Sequence, residues 1–108
     1  MTGKILIHST CGSAEEAGKI ARHLVDLRLA ACVTVVVPVK SYYRWQGAVE
    51  TSEEWLLVIK SSAELFGELK SAITAVHSYE VPEVIAMPIL EGAENYLRWM
   101  EGELKRHD

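Results

Sequence analysis

Four polar side chains between residues 77 and 83 form the densest group in the sequence that could do chemistry. They are His77, Tyr79, Glu80 and Glu83. An imidazole beside carboxylates is a donor set that suits Cu(II) or Zn(II), which favours a metal site. A structural role explains the same residues: His77 caps the C-terminus of a helix, while Tyr79 and Glu80 hydrogen-bond across a subunit boundary. The sequence alone leaves both interpretations open.

Motifs for the commoner enzyme chemistries are missing from the sequence. It contains no glycine-rich phosphate loop, no nucleophile elbow and no His-Glu-x-x-His zinc motif. Acid–base catalysis would fall to His77 with Glu80, but no feature of the sequence marks a substrate pocket beside them. We therefore predict that the protein is not an enzyme.

The composition predicts one soluble domain spanning residues 1–108, with 49% hydrophobic and 24% charged residues. A net charge of −4 without a basic run argues against nucleic-acid binding, including RNA recognition. The longest apolar run, residues 29–39, is too short to span a membrane. Cys11 and Cys32 lack metal-ligand spacing and are predicted to be free thiols, and no cleavage signal precedes the first strand. These features predict a cytoplasmic protein.

The stretch from residue 32 to residue 60 is the longest patterned segment, and it predicts a β-hairpin. Two β-branched runs flank a turn in which Gly47 supplies the positive φ that a tight turn needs. Each arm has about a dozen residues, or roughly 40 Å at about 3.3 Å per residue. The flanking helices are predicted to be shorter, at roughly 21 Å. Because the hairpin outreaches its own domain, something else must cover its outer half.

Large aromatic side chains are the reason that this cover is needed. Four of them lie on the predicted hairpin: Tyr42, Tyr43, Trp45 and Trp55. Exposing such rings to water is unfavourable, and aromatic residues are enriched in the cores of oligomer interfaces. We therefore predict that these residues, together with Trp99 from the last helix, form the seam between identical subunits.

Capping signals mark two helix starts. Ser13–Glu16 and Ser61–Glu64 both have the pattern Ser-x-x-Glu, in which each side chain satisfies a free amide of the first turn.

The first strand is predicted to bury Leu6 together with both of its neighbours. The predicted elements are, in order, a strand over 4–10, a helix to about 29, the hairpin, a helix opened by the second capping signal, a proline-bearing edge strand over 81–90 and a helix over 93–105.

This order predicts an α+β fold, the ferredoxin-like sandwich βαββαβ followed by a C-terminal helix. In that fold the helices cover one face of an antiparallel sheet, and the other face stays open unless a partner covers it. One subunit's long hairpin would meet a different part of its neighbour, so the contact is heterologous and closes into a ring. We predict a homotrimer, the smallest such ring beyond a dimer.

Five stretches in a fixed order resemble the CutA family, the divalent-cation tolerance proteins. They are Leu29–Cys32, Ser41–Gly47, Leu56–Lys60, His77–Ile85 and Tyr96–Trp99. The resemblance covers essentially the whole chain. It implies a ferredoxin-like fold, a tight homotrimer similar in shape to the nitrogen-regulatory PII proteins, and a role in tolerance to copper and other divalent metals.

The resemblance also implies positions for metal ligands. The family's proposed copper ligands are a cysteine late in the first strand and a pair of histidines, and these places are held here by Ser9, Val76 and His77. Only His77 keeps the family's residue type. Cys11 would point to the same side as Ser9 if the strand continued, and Glu80 adds a carboxylate. The chain is thus predicted to allow weak binding of copper or another divalent cation and to require no cofactor.

We predict a non-enzymatic homotrimer that acts in divalent-cation tolerance by weak metal binding, sensing or adaptor function. The alternative is a PII-like module that binds a small anionic or nucleotide ligand in clefts between subunits. Lys60, Tyr79, Glu80 and Glu83 are predicted to line such a cleft, and Lys60 and Arg44 are the evident basic candidates. A third interpretation is a scaffold whose trimer presents surfaces to an unidentified protein partner.

Overall fold

Four strands and three α-helices alternate along residues 2–106, the range that the computed structural model describes; Met1, His107 and Asp108 lie outside it. A single 3₁₀ turn, Ala63–Leu65, precedes the second helix. The elements are β1 Lys4–Cys11, α1 Ala14–Asp26, β2 Cys32–Trp45, β3 Ala48–Ser62, α2 Phe66–Val76, β4 Ile85–Pro88 and α3 Glu94–Glu103. This order agrees with the one predicted from the sequence.

The strands form one antiparallel sheet in the order β2-β3-β1-β4. The last strand lies at an edge, where Pro88 at its end costs no hydrogen bond of the ladder. The predicted extent of this strand, residues 81–90, is wrong, because only Ile85–Pro88 pairs with β1. The chain before it forms an irregular connection that contains Pro82.

One face of the sheet packs against all three helices. Alternate residues of β1 are buried on this face, from Ile5 to Cys11, which is the period expected of a strand covered on one side. Leu6, predicted to be buried, points to the opposite face and is only partly covered. The largest fully buried side chains of the core are Ile7, Ile20, Leu24, Leu29, Leu57, Ile59, Leu65, Leu69, Ile73 and Met100.

The first predicted helix cap is present in part. Ser13 Oγ accepts a hydrogen bond from the Glu16 N–H at 3.1 Å, as a capping box requires. The Glu16 carboxylate, however, accepts hydrogen bonds from Ser78. The helix ends at Asp26 and not near residue 29, because Arg28 adopts a left-handed φ of 60° and the chain turns toward β2.

The second predicted capping box is wrong. Ser61 and Ser62 continue strand β3, and the Ser61 hydroxyl donates to the Leu29 carbonyl at 2.6 Å. The helix α2 begins only at Phe66, and its first turn has no side-chain cap. A strand hydrogen bond to a distant segment therefore uses the hydroxyl that local capping would have required.

The long hairpin is confirmed. Its arms contain 14 and 15 residues, and the chain measures 44 Å along its longest axis against 25 and 22 Å along the others. Gln46 and Gly47 form the two-residue turn with φ values of 51° and 85°, which suits the right-handed twist of the arms. A bulge lies between Val36 and Val39, where β2 has one residue more than β3.

Two glycine-to-alanine substitutions are expected to have opposite effects on stability. Gly47→Ala forces a side chain into the left-handed region and should lower the free energy of unfolding by about 1 kcal/mol. Gly18→Ala lies inside α1 with open space around the new Cβ and should raise it by about 0.5–1 kcal/mol. Urea denaturation of both variants measures the difference, and a Gly47→Ala variant as stable as the wild type would contradict the strained turn.

The second face of the sheet is left without a covering layer in the single chain. Directly paired residues share a face, so Cys32, Lys60, Leu6 and Met87 form one row across this side of the four strands. The next row contains Thr34, Val58, His8 and Ile85, so each row mixes apolar and polar side chains. Met87 and Ile85 are exposed to solvent, so the β4 edge of this face presents apolar area to water.

Candidate functional site

His77 lies at the end of α2, where the chain crosses the end of β1. Its side chain is fully buried, with Nε2 at 2.8 Å from the Thr10 carbonyl oxygen. The Tyr79 backbone N–H donates to Nδ1 at 3.0 Å. Because Nδ1 accepts, the proton of the neutral ring is on Nε2, which donates to Thr10. The imidazole thus ties the 77–79 turn to β1.

Both ring nitrogens of His77 are therefore engaged inside the protein. A histidine binds a metal through a nitrogen lone pair, and the only lone pair of this tautomer already accepts the Tyr79 N–H. Coordination at either nitrogen would break one of the two hydrogen bonds and would require a buried ring to turn outward. As it is placed here, His77 has the geometry of a structural residue.

The other predicted ligands do not gather around His77. Ser9 and Cys11 are both buried on the core face of β1, as their spacing predicted, and Cys11 Sγ contacts the Ser13 carbonyl at 3.6 Å. Burial raises the pKa of the Cys11 thiol, which keeps it protonated and a poor metal ligand. Glu80 is exposed at the cleft described below. Among residues 2–106, no three His, Cys, Asp or Glu side chains are grouped to hold a metal ion.

The Glu16 carboxylate holds the same turn from the side of α1. It accepts the Ser78 N–H at 2.8 Å and the Ser78 hydroxyl at 2.9 Å, and it lies 3.7 Å from His77 Nδ1. Burial alone would raise the pKa of Glu16, but the hydrogen bonds from Ser78 outweigh it and the pKa is lowered. A charged carboxylate therefore fixes the start of the segment that carries Tyr79, Glu80 and Glu83.

Tyr79 makes the most consequential contact of that segment. Its hydroxyl donates to Glu54 Oε2 at 2.7 Å, and the Glu54 residue is only 6% exposed. Burial and the neighbouring Glu54 carboxylate raise the pKa of Tyr79 well above its usual value. The sequence analysis missed Glu54, since Glu53 and Glu54 read as an ordinary polar pair. The sequence did contain one indication that Glu54 is buried. It lies two residues before Leu56 in β3 and therefore shares a face with Leu56 and Val58.

A cleft of about 550 Å³ opens between the outer hairpin and the segment that follows His77. It brings together three of the residues predicted for an inter-subunit cleft with three of the aromatic residues predicted for the subunit seam. Its lining is Thr10, Ser41, Tyr42, Tyr43, Trp45, Glu54, Tyr79, Glu80, Val81 and Glu83. Ligand pockets commonly have about 300–1,000 Å³, so this volume would accommodate a small molecule.

Lys60 is not part of this cleft. It lies six residues along β3 from Glu54, or roughly 20 Å at about 3.3 Å per residue. Its ammonium group donates to Thr34 Oγ1 at 2.9 Å and contacts Cys32 Sγ at 3.6 Å on the uncovered face of the sheet. The predicted grouping of Lys60 with Glu80 and Glu83 is therefore absent within one described chain.

The predicted seam residues fall into two groups. Tyr42, Tyr43 and Trp45 are exposed on the outer hairpin, and Trp99 is exposed on α3, where its ring lies 5.4 Å from that of Tyr96. Trp55 differs, because it pairs with Cys11 and packs partly buried against the core. Four of the five predicted residues therefore present apolar area that the single chain leaves in water.

Comparison with known proteins gives consistent matches over nearly the whole chain. A family model described as the CutA1 divalent ion tolerance protein matches residues 5–103. The chain is 47% identical over 91 residues to the divalent-cation tolerance protein CutA of Thermus thermophilus, covering 84% of this chain and 88% of the relative. It is 39% identical over 101 residues to the chloroplastic CutA protein of Arabidopsis thaliana, covering 94% of this chain but 56% of that relative.

A solved structure gives the same result for the fold. The structure of a protein described as the periplasmic divalent cation tolerance protein CutA from Archaeoglobus fulgidus superimposes with a TM-score of 0.92. The sequences are 35% identical, and the match covers 94% of this chain and 99% of that one. Within residues 2–106, no helix has both the length and the hydrophobicity to cross a membrane.

Proposed function

Because the chain belongs to the CutA1 divalent ion tolerance family, we propose that it contributes to cellular tolerance of divalent cations as a non-enzymatic homotrimer. The observation that carries the proposal is the family match over residues 5–103. The fold of the trimer's subunit is proposed to be the ferredoxin-like sandwich. The element order and the strand order β2-β3-β1-β4, with helices on one face, support that assignment.

The proposal of a trimer is supported by two surfaces of different shape. One is the uncovered sheet face that carries Met87 and Ile85, and the other is the outer hairpin with its exposed aromatic rings. A contact between unlike surfaces repeats around a ring until it closes, and closure removes both from water. Trimers of this kind would also protect the unpaired edges of β2 and β4.

A tight metal centre at His77 does not fit the residues present. The ring nitrogens are engaged by Thr10 and Tyr79, and Cys11 is a buried thiol whose pKa is raised. We therefore propose that any contribution to tolerance is made by weak metal binding at surface carboxylates, by sensing or by an adaptor role.

The PII-like alternative with an anionic or nucleotide ligand is not favoured. Such a ligand needs basic groups that converge on the cleft, whereas the part of the chain that the structure describes lines it with Glu54, Glu80 and Glu83 and with no lysine or arginine. Lys60 lies roughly 20 Å from Glu54 along β3. Arg44 alternates with Tyr43 and Trp45 along β2 and is not among the lining residues. Carboxylates at this density would repel phosphate.

A cytoplasmic location remains part of the proposal. It is supported by the two cysteines, Cys11 and Cys32, which are both free thiols. The relatives described as chloroplastic and periplasmic show that the family's compartment varies. Fractionation of cells that produce the chain decides the location, and recovery in a membrane or exported fraction would overturn this part.

The proposed function is tested by growth under metal stress. Cells that lack their own family member should grow to a higher Cu(II) or Zn(II) concentration when this chain is produced than when an empty vector is carried. The matched control is production of the same chain with a charge that breaks the trimer, described in the Discussion. Equal growth of the three strains across the whole concentration series would contradict the proposed role.

Metal titration tests the chemistry separately. Calorimetric titration of the metal-free protein with Cu(II) and Zn(II) is expected to show binding weaker than about 1 μM, because the His77 nitrogens are already engaged. His77→Ala is expected to leave that affinity unchanged, as is the control His23→Ala on α1. Saturable sub-micromolar binding that His77→Ala abolishes would instead make His77 a metal ligand.

A further inference from the structure

We propose that the hydrogen bond between Tyr79 and Glu54 fixes the outer hairpin in the orientation that a second copy of the chain recognises. Tyr79 is then a positioning residue for the subunit interface, and the partner that it serves is another subunit. The inference deepens the proposed homotrimer and rests on it. The outer hairpin needs such a contact because of the way in which it leaves the sheet.

The outer hairpin, residues 39–54, is a ribbon of only two strands. The third strand, β1, accompanies β3 as far as the pair Cys11–Trp55, and beyond this point β2 and β3 pair with each other alone. The ladder between these two strands is irregular from Val36 to Val39, where the ribbon begins. A two-stranded ribbon is marginally stable by itself, so its direction depends on contacts with the rest of the chain.

One side-chain hydrogen bond joins the outer hairpin to the rest of the chain. Glu54 lies at the base of the ribbon, opposite Val39, and accepts the Tyr79 hydroxyl at 2.7 Å. Among residues 2–106, no other side-chain hydrogen bond or ion pair connects the outer hairpin to another element. A hydrogen bond to a carboxylate is stronger than one between neutral groups, so this contact is suited to hold the ribbon.

Tyr79 is itself held in place, which a positioning residue requires. Its backbone N–H donates to His77 Nδ1 at 3.0 Å, and the His77 ring donates to the Thr10 carbonyl of β1 at 2.8 Å. The Glu16 carboxylate holds the same turn from α1. Because the turn is fixed to both β1 and α1, the Tyr79 hydroxyl has a defined position, and this position determines where Glu54 lies.

The orientation of the outer hairpin matters because it carries apolar area that the proposed trimer has to bury. Tyr42, Tyr43 and Trp45 are all exposed on it in the single chain. An interface element that is oriented in advance loses less conformational freedom on binding, and more of its encounters with a partner are productive. Without the Tyr79 contact the outer hairpin would sample several directions, and the subunits would assemble more slowly.

The rate of assembly tests this role. Protein unfolded in urea is diluted into buffer at several chain concentrations, and light scattering follows the phase whose rate rises with concentration. Tyr79→Phe is expected to slow this phase by about tenfold relative to the wild type. An unchanged rate would overturn the proposal.

Ile73→Val is the matched control for a general loss of stability. Ile73 is fully buried on α2, so the substitution removes a core methyl group and destabilises the chain without touching the Tyr79 hydrogen bond. Its assembly rate is expected to stay within about twofold of the wild type. Slowing equal to that of Tyr79→Phe would overturn the proposal, because the loss of stability would then explain both results.

A double substitution separates the orienting role of the contact from its effect on stability. Tyr79→Phe together with Glu54→Leu replaces both polar partners by apolar groups, so no carboxylate is left without its donor. In urea denaturation this variant is expected to be more stable than Tyr79→Phe alone, yet to assemble as slowly, because an apolar contact has no fixed direction. Assembly at the wild-type rate would overturn the proposal.

Failure of this inference and failure of the proposed trimer give different results. If the wild type shows no concentration-dependent phase and no mass above the 12.0 kDa of the single chain, the trimer is wrong and this inference falls with it. If the wild type assembles and Tyr79→Phe assembles at the same rate, the trimer stands and only the role of Tyr79 is overturned.

Discussion

Replacing Trp45 with glutamate is expected to convert the assembly into single chains of 12.0 kDa. Trp45 lies at the end of β2 and is 43% exposed in the single chain, beside the exposed rings of Tyr42 and Tyr43. A charge placed in the core of an interface has to lose its water without gaining a partner, which costs several kcal/mol. Size-exclusion chromatography with light scattering measures the mass directly.

Val25→Glu is the matched control for this experiment. Val25 on α1 is also 43% exposed, so the same charge replaces an equally exposed apolar residue on the helical side of the molecule. This variant is expected to keep the assembly of the wild type. A Trp45→Glu variant that still elutes as the wild-type assembly would show that the outer hairpin is not the element that joins the subunits.

Tyr79→Phe is expected to lower the free energy of unfolding by about 1–3 kcal/mol near neutral pH. The substitution removes the hydroxyl that donates to Glu54 and leaves a nearly buried carboxylate without its donor. Urea denaturation measures the loss. Tyr96→Phe is the control, since Tyr96 is exposed on α3 and its hydroxyl has no partner among the described residues; its effect should stay within about 0.5 kcal/mol.

The loss caused by Tyr79→Phe is expected to shrink at alkaline pH. Burial and Glu54 raise the pKa of Tyr79 in the folded state above its ordinary value of 10.0, so folding favours the protonated phenol. This contribution is fully present below about pH 10 and is lost as the pH rises toward the folded-state pKa. Denaturation curves at several pH values should therefore converge for the wild type and the variant above pH 10. A constant difference would contradict the role of the phenol proton.

The hairpin and the order of elements were predictable because their signals are local. A turn glycine between two β-branched runs fixes a hairpin, and Gly47 has the positive φ that this interpretation required. The sequence could not show that the capping box predicted at Ser61 would be absent. Its hydroxyl is used by the Leu29 carbonyl, 32 residues earlier in the chain, and only the packed sheet brings the two together.

The candidate site shows the same limit. The sequence marked His77, Tyr79, Glu80 and Glu83 as a group, but the role of His77 depends on the Thr10 carbonyl, 67 residues away. The residue types of this group are those that bind metal ions, which favoured a metal site. In the folded chain, however, both ring nitrogens of His77 form hydrogen bonds within the protein. Glu54 was missed because a glutamate within a polar run looks exposed, and only the crossing of Tyr79 over the sheet buries it.

The bulge in β2 bends the outer hairpin relative to the rest of the sheet. Before the bulge, Cys32, Thr34 and Val36 share a face with their β3 partners, whereas after it the odd-numbered residues Tyr43 and Trp45 occupy that place. Deleting one residue at the bulge would restore regular pairing and leave these two rings on the same face, because their β3 partners, Glu50 and Ala48, would not change. The deletion would instead remove the local bend and extra twist that the bulge gives β2, and so change the angle at which the outer arm leaves the sheet.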